Sequence, residues 1–206
     1  DTFFDGFGCD ALGAKAQAIF GRQWTSALSV VFASVPSASE DKGLVVGGFS
    51  QGSWLAHMGS SMRPSVRAAW LLSSGVEMDF GVKMSLACNA ASVNRAIPIR
   101  AFSGENDTVY VKPASELALA TQLAAVTGIA ASNDDPSTGF DANGDSGWAI
   151  VHDDEVVDGI ADHGYFTMNG TFLSPDPNSI DAIWNTSEVK WGRSANLAWL
   201  YGHLTP

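Results

Sequence analysis

The chain has 206 residues, of which 46% are hydrophobic and 16% charged, and this composition predicts a soluble globular protein with a sizeable core. A formal net charge of −11 argues against nucleic acid and anionic membrane surfaces as partners, because both bind basic patches. The sequence contains no apolar run near the roughly 18 residues that a transmembrane helix needs, so we expect no membrane insertion.

Short apolar runs alternate with segments of helical periodicity along the chain. The predicted strands cover residues 2–4, 28–33, 44–47, 69–73 and 97–102, and a strand pair or hairpin is predicted over residues 148–151 and 155–160. The predicted helices cover residues 10–20, 53–62, 113–126 and 194–203. This alternation is typical of an α/β protein, in which helices flank a mainly parallel sheet and catalytic groups follow the carboxyl ends of its strands. We expect one compact domain over residues 1–206.

A polar loop rich in glycine and other helix breakers occupies residues 132–147. Its stretch from Asp141 to Asp145 is similar to the start of a calcium-binding loop. However, Ser146 stands where that loop has glycine, and no glutamate follows at the closing position. We therefore predict no metal site.

The motif GFSQG at residues 48–52 places a single serine, Ser50, between two glycines. Glycine destabilises strands and helices by about 0.5–1 kcal/mol, so its use here indicates that backbone geometry outweighs propensity. A predicted buried strand precedes the motif at residues 44–47, and a predicted helix with one apolar stripe follows at residues 53–62. Strand, glycine turn and helix are the context of a nucleophile elbow. The alternative is an ordinary loop rich in glycine and serine.

A serine hydroxyl becomes a good nucleophile when a histidine accepts its proton and a carboxylate orients that histidine. Asp107 lies in a loop directly after the predicted strand at residues 97–102, where such a carboxylate is expected. Glu105 lies in the same loop and is the alternative. We favour Asp107 as the acid.

The sequence has four candidates for the histidine. His163 follows the last predicted strand and precedes Gly164, so its loop can reach the serine, and we favour it as the base. His152, in the predicted hairpin, is the alternative. His57 lies in the helix after the elbow and is expected to point away from the serine, whereas His203 is expected to support packing near the chain end.

Three motifs carry a resemblance to a known family. They are VVGGFSQGSW, SGENDTVYV and ADHGYF. These motifs resemble the α/β-hydrolase superfamily, and the serine motif is most similar to the phospholipase/carboxylesterase group that includes acyl-protein thioesterases. The spacing and the ending NLAWLYGHL are also similar to secreted polyhydroxybutyrate depolymerases and feruloyl esterases. The resemblance implies an α/β-hydrolase fold with Ser50 as nucleophile, Asp107 as acid and His163 as base.

The same resemblance implies an oxyanion hole made of two backbone N–H groups. The first belongs to the residue after the nucleophile, Gln51, and the second is expected from Phe7 in the segment FFDGFG. Asp5 replaces the histidine that is usual in that segment. Because both donors are backbone groups, the hole does not depend on the missing histidine.

These features predict a serine hydrolase that cleaves carboxylic esters without a metal ion or organic cofactor. Its substrate is expected to be a small-molecule or polymeric ester. Trp54, Tyr165 and Phe166 flank the triad residues in sequence and are candidates for lining the substrate site, with a place in the core as their alternative. The rival functions are a serine peptidase of the same fold and a catalytically inactive binding module, the latter because of Asp5 and the short region before the elbow.

The sequence also bears on the compartment. Its two cysteines, Cys9 and Cys88, form either one disulfide, which indicates an oxidising compartment, or two separate buried thiols. The chain begins at Asp1 instead of methionine, as expected of a processed chain or a fragment. From these features we predict a secreted or extracellular protein.

Overall fold

A mixed sheet of five strands organises the part of the chain that the computed structural model describes, namely residues 24–35, 37–73, 77–79, 83–85, 97–107, 115–166 and 181–204. The described residues contain seven strands, of which β3 and β4 lie outside this sheet: β1 (Leu44–Phe49), β2 (Val66–Leu72), β3 (Glu77–Asp79), β4 (Lys83–Ser85), β5 (Ile99–Gly104), β6 (Thr138–Phe140) and β7 (Gly147–Val151). The helices are α1 (24–34), α2 (Gln51–Met62), α3 (Glu116–Thr127), α4 (Ala182–Asn185) and α5 (Arg193–Gly202), with 3-10 turns at Glu40–Lys42 and Asp153–Glu155.

The strands of the sheet lie in the order β1-β2-β5-β7-β6. β1, β2, β5 and β7 pair in parallel, whereas β6 pairs antiparallel to β7 at one edge. β3 and β4 form a separate antiparallel pair. A mostly parallel sheet with helices is an α/β architecture, which confirms the predicted class at that level. Parallel pairing brings the carboxyl ends of four strands to one side of the sheet, so the loops that follow them meet there.

Two hydrophobic clusters cover the two faces of the sheet. One contains Trp54 of α2 together with Leu71 of β2, and the other contains Trp70 of β2 together with Leu200 of α5. Leu71 and Trp70 are neighbours on one strand, where successive side chains point to opposite faces. β2 is therefore buried from both sides, and this packing fixes the position of its carboxyl end.

Residues 28–33 belong to helix α1, so the strand predicted there is wrong. The run is rich in β-branched residues, which favour strands. In the structure, however, Val30 and Val31 are 63% and 45% exposed, and the helix is anchored by Trp24. The Trp24 indole N–H donates to the carbonyl of Leu55 in α2 at 2.9 Å. This tertiary contact outweighs a local preference that is worth only a fraction of a kcal/mol per residue.

The predicted strand at residues 148–151 corresponds to β7, but the second strand of the predicted hairpin, at residues 155–160, is wrong. β7 pairs with β6, which lies inside the segment predicted as a loop, and the chain after β7 forms a 3-10 turn and further turns. The carboxylate of Asp153 explains the turn, because its Oδ1 accepts the N–H of Ala161 at 2.7 Å. This bond closes the segment into a loop and prevents residues 155–160 from running back along β7.

The predicted helices at residues 53–62, 113–126 and 194–203 correspond to α2, α3 and α5. The predicted strand at residues 2–4 and helix at residues 10–20 lie outside the described residues. Among the helices that the structure describes, none has the length and apolar character needed to cross a membrane.

Candidate active site

Ser50 occupies a strained turn between the end of β1 and the start of α2. Its φ of 57° and ψ of −125° lie in the positive-φ region, which residues other than glycine rarely adopt. The Ser50 N–H donates to the carbonyl of Leu72 at 2.8 Å, and the Ser50 carbonyl accepts the N–H of Ser53 at 2.9 Å. The first bond continues the β1–β2 ladder and the second begins the helix. The two elements together therefore hold the strained conformation.

The glycines that flank Ser50 have different environments. A Cβ atom added at Gly48 would lie 2.0 Å from the carbonyl oxygen of Gly52, so the strand and the helix approach too closely for any side chain at Gly48. A Cβ added at Gly52 would meet nothing within 4 Å among the residues that the structure describes. The first glycine of the motif is thus a steric requirement of the turn, and the second is not.

His163 connects Ser50 to Asp107. Its Nε2 lies 2.9 Å from Ser50 Oγ, and its Nδ1 lies 2.7 Å from Asp107 Oδ1. A carboxylate accepts hydrogen bonds, so Nδ1 carries the proton and Nε2 presents its lone pair to the serine hydroxyl. The side chains of Asp107 and His163 are only 4% and 12% exposed, whereas Ser50 is intermediate in exposure. The arrangement can take a proton from the serine while the ion pair that results stays shielded from water.

The loop that follows β5 and carries Asp107, here called the acid loop, is held by short-range contacts. The Asp107 N–H donates to the Gly104 carbonyl at 3.1 Å, and the buried hydroxyl of Ser103 donates to Asp107 Oδ2 at 3.3 Å. A Cβ at Gly104 would lie 2.0 Å from the carbonyl oxygen of Ala161, which belongs to the loop that carries His163. Gly104 therefore allows the acid loop and the base loop to touch.

The loop that carries His163, here called the base loop, is fixed on both sides of that residue. Asp162 Oδ1 accepts the N–H of Gly164 at 2.8 Å, and the hydroxyl of Ser73 donates to the His163 carbonyl at 3.0 Å. The ring of Phe49 packs against the imidazole with centroids 5.1 Å apart. The imidazole is therefore restrained through its ring and its backbone.

A carboxylate at the end of β7 joins the acid loop to the base loop. Asp153 Oδ1 accepts the N–H of Ala161 at 2.7 Å, and Asp153 Oδ2 accepts the side-chain amide of Asn106 at 2.9 Å. The Asn106 N–H also donates to the Ala161 carbonyl at 3.1 Å. These three bonds fix the separation of the two loops on which Asp107 and His163 lie.

The two alternative candidates, the acid Glu105 and the base His152, contact each other. His152 Nδ1 lies 3.0 Å from Glu105 Oε2, and Glu105 Oε1 accepts the Asp153 N–H at 2.6 Å. Burial alone would lower the pKa of His152, but the hydrogen bond and charge of Glu105, with the charges of Glu116 and Glu155, raise it above its ordinary value. Glu105 and His152 therefore form a second pair beside the Ser50 site.

The two remaining histidines lie in helical surroundings. His57, in α2, is 1% exposed, and desolvation lowers its pKa from 6.5 to about 4, so it is neutral near pH 7. His203, at the end of α5, packs against Trp199 with ring centroids 5.1 Å apart. The contact of His203 does not involve the Ser50 site.

The predicted oxyanion donors are described only in part. Gln51 is the first residue of α2, and the N–H groups of a first helical turn have no partner within their own helix. Such groups lie at the positive end of the helix dipole and suit a developing negative charge. Phe7 lies outside the described residues.

The aromatic residues predicted to line the substrate site are buried in the core. Trp54, Tyr165 and Phe166 are 3%, 1% and 2% exposed. The Tyr165 hydroxyl donates to Asp181 Oδ2 at 2.8 Å, which anchors the segment after His163. A fully buried side chain offers little surface to a substrate, so this burial favours the core alternative for all three residues.

In the loop over residues 132–147, the side chain of Asp141 bonds to the loop's own backbone. Asp141 Oδ1 and Oδ2 accept the backbone N–H groups of Asp145 and Ser146 at 2.8 and 3.0 Å. In the described parts of the chain, no group of three or more His, Cys, Asp or Glu side chains is placed to hold a metal ion. Cys9 and Cys88 lie outside these parts.

Sequence reasoning missed Ser73, Ser103 and Asp153, whose side chains hydrogen-bond to the loops that carry Asp107 and His163. Each lies at or just after the carboxyl end of a parallel strand, namely β2, β5 and β7. That location was the available signal, because polar residues there border the same site as the triad residues. Their small or acidic side chains gave no further indication of role.

Comparison of the chain with models of protein families, with curated proteins and with solved structures gave no significant match. The chemistry of the site itself is therefore the basis for a function.

Proposed function

We propose that this chain is a serine hydrolase of the α/β-hydrolase fold that cleaves carboxylic esters through an acyl-enzyme. One observation carries the proposal: Ser50 Oγ, His163 and Asp107 form a continuous hydrogen-bonded chain with distances of 2.9 and 2.7 Å. The strained Ser50 turn between a strand and a helix supports it, as does the order Ser, Asp, His along the sequence.

The reaction proceeds in two halves. Ser50 Oγ attacks the ester carbonyl while its proton moves to His163 Nε2, and the tetrahedral intermediate collapses as His163 returns that proton to the leaving alcohol. Water then attacks the acyl-enzyme, His163 takes a proton from the water, and Ser50 regains it as the acid leaves. Asp107 holds the imidazole in the required tautomer and stabilises the imidazolium that forms in each half.

The developing oxyanion needs preorganised donors. The Gln51 N–H, at the positive end of α2, is the first donor, and Phe7 stays a prediction as the second. Loss of one such donor typically costs about 3–4 kcal/mol of transition-state stabilisation. Each donor therefore contributes on the order of 10²–10³-fold to the rate.

The proposed substrate is a small-molecule or polymeric ester without negative charge, since a protein of net charge −11 repels anions. Attack on an ester requires no ligand beyond the triad and the oxyanion donors, so the mechanism involves no metal ion or organic cofactor. A secreted or extracellular location stays a prediction from the sequence.

The proposal is tested by hydrolysis of p-nitrophenyl acetate, butyrate and octanoate and by fluorophosphonate labelling. The intact protein is compared with Ser50→Ala and with a control, Ser60→Ala, which removes the hydroxyl of a buried serine within α2. We expect turnover and labelling by the intact protein and the control, and neither by Ser50→Ala.

Three outcomes would overturn the proposal. A folded protein that neither labels nor hydrolyses any of the three esters would favour the binding-module alternative. Hydrolysis that survives in Ser50→Ala would assign the activity to another site. Faster cleavage of peptides than of esters in a substrate panel would replace the esterase by a peptidase with the same triad.

A further inference from the structure

Ser73, the residue directly after β2, shares an unusual backbone conformation with Ser50. Its φ is 46°, and in the described part of the chain Ser50 and Ser73 are the two non-glycine residues with positive φ. Such conformations cost of order 1–3 kcal/mol and persist where the surrounding structure enforces them. Ser73 is buried, so contacts on all sides can hold it in this conformation.

The sheet places Ser50 and Ser73 side by side. The last register pair of β1 and β2 is Phe49 with Leu72, so the next residues along the two strands are the two serines. The Ser73 N–H donates to the carbonyl of Phe102 at 2.8 Å, in the same way that the Ser50 N–H donates to Leu72. Both serines therefore follow the carboxyl ends of their strands at the same level.

Both strained serines bind the same histidine. Ser50 Oγ contacts His163 Nε2 at 2.9 Å, and Ser73 Oγ donates to the His163 carbonyl at 3.0 Å. Ser73 is 0% exposed, so its hydroxyl is shielded from bulk solvent. With Asp107 at Nδ1, His163 is held at three atoms, of which only the carbonyl belongs to the backbone.

We propose that Ser73 is a positioning residue that holds the backbone of His163 so that Nε2 faces Ser50. This inference rests on the proposed hydrolase function. The positive φ of Ser73 directs its hydroxyl from the end of β2 to the base loop. In the catalytic cycle the imidazole receives and returns a proton twice, and an anchored backbone keeps it within transfer distance of both Ser50 and the leaving group.

The test separates the Ser73 hydroxyl from the strain of its backbone. Ser73→Ala removes the hydroxyl and keeps a Cβ at positive φ, whereas Ser73→Gly removes both the hydroxyl and the strain. Ser60→Ala is a matched control, because Ser60 is 3% exposed and its hydroxyl donates to the carbonyl of His57, far along α2 from Ser50. For each variant, kcat, KM, the fluorophosphonate labelling rate and Tm are measured with p-nitrophenyl butyrate.

We expect kcat and the labelling rate to fall about ten-fold in Ser73→Ala and Ser73→Gly, with KM unchanged, because one net hydrogen bond is lost at the base. Ser73→Gly should have a higher Tm than Ser73→Ala and yet be equally slow. The control Ser60→Ala should keep the kcat of the intact protein. A ten-fold fall in kcat at an unchanged KM is not expected of a residue that only supports folding.

The other results would overturn the inference. If Ser73→Gly regains full kcat, the strain and not the hydroxyl decides the rate. If both variants match Ser60→Ala, or if both fail to fold, Ser73 has no positioning role. An intact protein that is itself inert would overturn the proposed function and this inference together, whereas an active intact protein with unaffected Ser73 variants would overturn only the inference.

Discussion

His163 Nε2 lies 2.9 Å from Ser50 Oγ, although 113 residues separate them along the chain. The contact exists because β1 and β7 run in parallel within one sheet, and the loops that follow them open on the same side. The carboxyl ends of β2, β5 and β7 also carry Ser73, Ser103 and Asp153, which hydrogen-bond to the loops of the site.

Replacement of Asp107 by asparagine should abolish most of the activity while the fold persists. An amide can donate to His163 Nδ1, so the imidazole can carry its proton on Nε2 instead. In that tautomer Nε2 has no lone pair to accept the proton of Ser50. We expect kcat for p-nitrophenyl butyrate to fall on the order of 10³–10⁴-fold. The control is Asp134→Asn, which changes an exposed carboxylate in the loop before β6 and should keep full kcat. A loss below ten-fold in Asp107→Asn would exclude it as the acid.

The two glycines of the GFSQG motif should respond differently to alanine. Gly48→Ala places a Cβ 2.0 Å from the Gly52 carbonyl oxygen, so we expect a loss of several kcal/mol in the free energy of unfolding, or no folded protein. Gly52→Ala adds a Cβ to a helix where no described residue lies within 4 Å of it, so the variant should be neutral, or more stable by about 0.5–1 kcal/mol. Urea unfolding of both variants measures the difference. Equal destabilisation would contradict the asymmetry seen around Ser50.

Asp153→Ala should weaken the connection between the acid loop and the base loop. The variant loses the bonds to Ala161 and Asn106 and keeps the backbone N–H bond to Glu105. We expect a loss of about 1–2 kcal/mol in the free energy of unfolding and a fall of about five-fold in kcat.

Asp154→Ala is the matched control for Asp153→Ala, because Asp154 is the adjacent and exposed carboxylate. Urea unfolding and ester hydrolysis are compared for the two variants. Similar values for both would show that the carboxylate of Asp153 does not hold the loops together.

The buried His57 should make the fold less stable in mild acid. Its pKa in the folded protein is about 4, below the ordinary 6.5, so the unfolded chain binds the proton more readily. Stability is therefore fully present above pH 6.5 and declines as the pH falls toward 4, by about 3 kcal/mol in all for this group.

The measurement is the free energy of unfolding between pH 7.5 and pH 4.5. His57→Gln should show a flatter decline than the intact protein, whatever its absolute stability. His203→Gln, which changes a histidine at the end of α5, should keep the decline of the intact protein. If His57→Gln shows the same decline as the intact protein, the acid sensitivity comes from other groups.

Tertiary packing overrode local preferences at several positions. The β-branched run at residues 28–33 is helical because Trp24 docks that segment on α2. Trp54 and Tyr165 flank triad residues in sequence, but the strand–helix packing turns both into the core. Ser73 is an ordinary serine in the sequence, and its role as a donor to His163 arises from a register between strands and a contact 90 residues away.

The sequence by itself determined the local features of the site: a strand, a glycine turn and a helix around Ser50, and polar loops after later strands. These depend on short-range rules, namely side-chain periodicity and the backbone freedom of glycine. Only the tertiary structure decided which carboxylate meets which histidine, with Asp107 at His163 and Glu105 at His152. That choice depends on the order and pairing of the strands, because the loops are neighbours in space and not in sequence.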